Sequence, residues 1–96
     1  MTDDVDALIA ERKKTHGDFR QKSELAQAFK QLLHSSPNWK TMTAVQREGI
    51  EFVVDKLSRA LVGDPFFKDH YMDMMGYLKR IIEDNEKTER DVRNNR

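Results

Sequence analysis

Ninety-six residues suffice for one small domain, with a thin margin of buried surface that association between subunits would widen. Seventeen basic and seventeen acidic side chains cancel, so the basic excess by which a nucleic-acid binder neutralises phosphates is missing and no nucleic-acid partner is expected. The absence of Cys excludes disulfides, thiolate nucleophiles and Cys-ligated metals. No apolar run approaches the ~20 residues of a membrane span, and the Met1-Thr2-Asp3-Asp4 start is not that of a signal peptide, so the expectation is a cytoplasmic protein without a membrane partner.

The periodicity predicts four helices and no strand. The first covers about residues 3–14, with Val5, Leu8 and Ile9 spaced as one apolar stripe. Thr15-His16-Gly17 breaks it, Gly17 suiting a positive φ. Asp18 and Gln21 have the spacing of a capping box for the second helix, which turns Phe19, Leu25, Ala28, Phe29, Leu32 and Leu33 toward a core. Ser35-Ser36-Pro37-Asn38-Trp39 reads as a loop, since Pro37 disfavours helix at Ser36, and Trp39 as an apolar plug. Thr43 with Gln46 is a second capping box. It opens a third helix whose stripe is Ile50, Val53, Val54, Leu57, Ala60 and Leu61, ended by Gly63. After Asp64-Pro65, a fourth helix runs to about residue 84 with Phe67, Tyr71, Met74, Leu78, Ile81 and Ile82 inward. The domain is read as residues 1–85. Residues 86–96, with Val92 their one apolar side chain, read as a frayed or disordered polar tail.

The opposite faces carry the chemistry. Glu48, Glu51, Asp55 and Arg59 fall roughly 130–160° from the stripe of the third helix, and Asp69, Asp73, Gly76 and Arg80 form a similar strip on the fourth. The simplest reading is a solvated face with i, i+4 pairs. Phe52 in the first strip and Gly76 in the second, which costs about 1 kcal/mol against Ala, point instead to a face that meets something. Paired carboxylates on neighbouring helices are what Mg²⁺ uses, keeping waters that bridge to phosphates. Glu48, Glu51, Asp69 and Asp73 are therefore the metal and catalytic candidates, with Lys56 and Arg59 as phosphate countercharge.

Glu48-x-x-Glu51 followed by Asp69-x-x-x-Asp73 resembles the ExxE…ExxD arrangement of the all-α, MazG-like nucleoside triphosphate pyrophosphatases. With His16-Gly17-Asp18, Lys56-x-x-Arg59 and Asp73-x-x-Gly76-Tyr77, the chain over roughly residues 8–83 is also similar to an uncharacterised family of small phage and prophage proteins. The resemblance implies a MazG-like helical bundle, a homo-oligomer, and Mg²⁺-dependent cleavage of a nucleotide to monophosphate and pyrophosphate. It departs at the second pair, which is spaced i, i+4 and consists of two Asp.

His16, Asp18 and Tyr77 are possible ligand contacts, set against an ordinary capped turn at 16–18. His34 and His70 read as structural or surface residues. Met72, Met74 and Met75 read as core filler with a subunit contact at Met72, and Phe52 is the other interface candidate. Two functions follow: a Mg²⁺-dependent nucleotide-binding protein or triphosphate pyrophosphohydrolase, or a small phage-derived helical protein that covers a host protein without catalysis.

Overall fold

The computed structural model describes residues 2–94, and it is all-helical over them. Helices α1 (Thr2–His16), α2 (Phe19–His34), α3 (Ala44–Val62) and α4 (Lys68–Asn94) pack together, with a 3₁₀ turn at Trp39–Thr41 between α2 and α3. No strand occurs among the described residues, and none of the helices is long and apolar enough to cross a membrane.

The local signals act as expected at most boundaries. Gly17 closes α1 with φ 77°, in the left-handed region. Asp18 caps α2 by accepting from the Arg20 backbone N–H at 3.2 Å. Thr43 and Gln46 form both halves of their capping box, at 3.1 and 2.9 Å. Trp39 is buried beside the His34 ring. The polar segment from Glu86 continues α4 as helix to Asn94, with all of residues 86–94 exposed and a Glu89–Arg93 pair one turn apart.

Helix α3 is the hub, touching α1, α2 and α4. It lies antiparallel to α4, in a register fixed by Gln46 with Asn85, Gly49 with Ile81, Phe52 with Tyr77 and Lys56 with Asp73. A side chain on Gly49 would meet Ile81 Cδ1 at 2.7 Å, so the missing Cβ sets this approach. Helix α2 meets α3 through Ala26, a small buried residue flanked by Lys22 and Lys30 at i±4.

The core is sparse. Ala26, Trp39, Val54 and Ala60 are its buried apolar residues, and the fold measures 59 × 28 × 25 Å with a radius of gyration of 16.8 Å. A compact domain of this length has a radius near 12.5 Å, so the four packed helices form an elongated body. The inner stripe expected on α4 divides accordingly: Phe67, Met74 and Ile81 are half-buried, whereas Tyr71, Leu78 and Ile82 stay exposed. Phe19, Leu32 and Leu61, also expected inside, lie outside.

Gly76 is met by no other element of the chain among the described residues. The residue is exposed, and a Cβ built there meets nothing within 4 Å, so no neighbouring element of the chain explains it. Gly76→Ala should therefore stabilise the protein by about 1 kcal/mol, through helix propensity and lost unfolded-state freedom. The thermal midpoint should rise about 4–8 °C. A lowered midpoint, read by circular dichroism, would contradict this account of Gly76.

Candidate functional site

The acidic strip of α3 is not a free face. Asp55 sits between Lys22 Nζ at 3.3 Å and Lys30 Nζ at 3.1 Å, with all three side chains less than a quarter exposed. Burial alone would raise the Asp55 pKa. The hydrogen bond from Lys30 and the charge and hydrogen bond of Lys22 outweigh it, holding the carboxyl below its usual value. Glu51 accepts from His34 Nε2 at 2.9 Å. Lys22, Ala26, Lys30 and His34 recur every four residues, so one basic edge of α2 covers the acidic edge of α3.

Phe52 is likewise a tertiary contact. Its ring stacks on Tyr77 at 4.7 Å with planes 7° apart, and Arg80 lies over the Tyr77 face. These side chains, with Glu48, Gly49 and Ile81, line a groove of about 440 Å³ between α3 and α4. Glu48 and Glu51 also share a polar recess with His34, Trp39 and Arg47. Arg47 Nε is buried there without a hydrogen-bond partner.

The four carboxylates expected to hold Mg²⁺ are not gathered within one chain. Lys56 binds Asp73 at 3.0 Å, while Gly49, next to Glu48, lies level with Ile81. Asp73 thus lies level with position 56, about 8 Å along the α3 axis from Glu51 and about 12 Å from Glu48 at 1.5 Å per residue, and Asp69 lies about a turn further off. Asp69 is exposed at the start of α4. Among the described residues, no group of three or more His, Asp or Glu side chains is placed to hold a metal ion. Lys56, expected on phosphate, is committed to Asp73. Met72 is exposed beside the outer face of α4.

A different set does converge. His16, Asp18 and Arg59 line one cleft of about 460 Å³ at the α1–α2 junction, with Ile9, Arg12, Lys13, Gly17, Phe19 and Lys22. The geometry originates in a backbone contact. Gly17 and Gly63 lie so close that a Cβ on Gly17 would come 2.8 Å from the Gly63 nitrogen. The Asp64 N–H donates to the Thr15 carbonyl at 2.9 Å, and His70 Nε2, in a buried ring, bonds the same oxygen at 2.9 Å. The end of α1 is thereby clamped to the end of α3 and the start of α4, and Arg59 is brought beside His16.

The cleft is electropositive: four cationic side chains face one carboxylate, Asp18, in a protein of zero net charge. Lys22 is paired with Asp55. Arg12, Lys13 and Arg59 have no carboxylate within 4 Å among the described residues. His16 Nδ1 lies 2.6 Å from Thr15 Oγ1, and its ring meets Phe67 and His70 edge-on. Burial, then the charge of Arg59, lowers its pKa, so the imidazole is neutral at pH 7. The first turn of α2 adds the partial positive charge of a helix N-terminus. Arg12, Lys13 and Lys22 carry no spacing that marks them in the sequence, although the basic run Arg12-Lys13-Lys14, one residue before His16-Gly17-Asp18, is a signal that could have found the first two.

Comparisons with protein-family models, curated proteins and solved structures return no match, so the site is read on its own geometry.

Proposed function

We propose that this chain is a nucleotide-binding helical protein that works as an oligomer and holds the phosphate chain of a nucleoside triphosphate in the α1–α2 cleft. The reading is carried by one observation: Arg59, more than forty residues on in the sequence, lines a single cleft with His16, Asp18 and the cations Arg12 and Lys13. Guanidinium groups give paired hydrogen bonds to phosphate oxygens, and a lysine adds charge. The exposed Phe19 ring at the rim offers a stacking face for a base.

Hydrolysis to monophosphate and pyrophosphate, implied by the MazG-like resemblance, requires a metal site that Glu48, Glu51, Asp69 and Asp73 do not form within one chain. The reading therefore stops at binding. An incoming phosphate favours the protonated form of His16, whose pKa in the free protein is held below its ordinary value, so the His16 contribution to binding should grow as pH falls toward that lowered value.

Arg59→Ala should weaken triphosphate binding by roughly 10–100-fold, the equivalent of one lost charge-assisted contact, whereas Arg80→Ala should leave it unchanged. Titration calorimetry of both variants at low salt reads the difference. Equal affinities for wild type and Arg59→Ala would remove the cleft from the binding site.

A further inference from the structure

Helix α4 carries two apolar stripes, and among the described residues only one packs against another helix, the second keeping just the Tyr71 hydroxyl's hydrogen bond to the Pro65 carbonyl. His70, Met74, Tyr77 and Ile81 turn toward α1 and α3. Tyr71, Met75, Leu78 and Ile82, about 100° around the helix, are 43%, 63%, 46% and 56% exposed. Their 4-3-4 spacing is the a/d pattern of a helix that packs along its length against another helix. Glu89, five turns beyond Tyr71, lies on the same line of the helix.

The surface area agrees. A folded monomer of 11.3 kDa exposes about 5,700 Å², and this chain exposes 7588 Å². The excess, about 1,900 Å², lies within the roughly 1,000–2,500 Å² that each subunit of an obligate homodimer buries. The protruding α1, with Val5, Leu8 and Ile9 also more than half exposed, contributes to that excess.

We infer that the outer stripe of α4 is the seam of a two-fold dimer, in which it packs antiparallel against the same stripe of a second copy. The charge pattern fixes the direction. Parallel helices would place Glu89 against Glu89 on the seam, whereas antiparallel helices set Tyr71 against Ile82 and Met75 against Leu78 of the other copy. That pairing is closed and isologous, and it leaves residues 86–94 beyond the overlap. The Asp69, Asp73, Gly76 and Arg80 strip lies on the far side of α4 and stays outside the seam. The inference rests on the oligomer reading above and names its partner and face.

Sedimentation equilibrium of the full chain tests both. The wild type should run at twice the chain mass at micromolar concentration, and Leu78→Glu should weaken association at least 100-fold. A wild type that remains monomeric at 100 µM would overturn oligomerisation and the seam together. An oligomer that persists in Leu78→Glu would overturn the seam alone. Should Leu78→Glu unfold, oxidation decides. The chain has no Cys, and the double variant Tyr71→Cys/Ile82→Cys should form a covalent dimer while Tyr71→Cys alone should not. Positions 71 and 82 are about 16 Å apart in one helix, too far for an internal disulfide. A covalent dimer from Tyr71→Cys alone would establish the parallel direction and overturn the pairing, as would no cross-link from the double variant.

Discussion

Gly63→Ala should lower the thermal midpoint by roughly 15 °C and empty the α1–α2 cleft of its binding geometry. Space is the reason. A Cβ there would fall on the Thr15 carbonyl oxygen and 2.6 Å from the His16 carbonyl carbon. These are backbone atoms and cannot rotate away, so the end of α1 must move off α3. Overpacking costs typically 1–3 kcal/mol, and a backbone collision belongs at or above the top of that range. At about 4–8 °C per kcal/mol for a chain of this size, the shift is large. The Thr15 oxygen also receives Asp64 N–H and His70 Nε2, so two hydrogen bonds loosen with it. A midpoint within 3 °C of the wild type, by circular dichroism at matched protein concentration, would show that the junction yields without cost.

Asp55→Asn should cost about 2–3 kcal/mol, somewhat below the 3–5 kcal/mol of a fully buried pair because these groups keep some solvent. The substitution preserves shape and removes the one charge that Lys22 and Lys30 share. Two largely buried ammonium groups are then left facing each other. Urea unfolding should show the midpoint falling by about 1 M or more, given slopes of roughly 1–3 kcal/mol/M. Adding Lys30→Met should recover part of the loss, since the uncompensated charge goes with it. The pH dependence has a definite sign. The folded Asp55 pKa lies below its unfolded value, so the unfolded state takes up a proton first. Its contribution is complete above the unfolded pKa, about 3.9, and is lost as pH falls through the folded value. Asp55→Asn should therefore flatten the acid limb of the stability curve. An unchanged limb would mean that the pair adds nothing to folding.

The helices were legible in the sequence because their start and stop signals are local. Thr43 with Gln46 and Gly17 each act within one turn, and each does what its chemistry requires. The neighbours of each face were less legible. A helical wheel gives the angle of Asp55 from the α3 core stripe but does not say that α2 arrives there with Lys22, Lys30 and His34. Phe52, which looks stranded among acids on its own helix, is explained by Tyr77 on another. Both α4 stripes satisfy a helical apolar period, yet α3 covers one of them, because a single helix contacts only part of so wide an arc. The cleft was half legible. His16-Gly17-Asp18 and Arg59 stand out as chemistry-bearing residues, but their meeting depends on the close approach of Gly17 to Gly63, a tertiary event with no periodic trace.

The central claim is that the α1–α2 junction binds nucleotide phosphates, and amide chemical-shift mapping by NMR tests it most directly. With a nucleoside triphosphate and Mg²⁺ added to isotope-labelled protein, the account predicts saturable shifts centred on His16, Gly17, Asp18, Phe19 and Arg59, with Phe52, Tyr77 and Arg80 still. An unchanged spectrum at millimolar nucleotide, or shifts confined to the Phe52–Tyr77 groove, would contradict it.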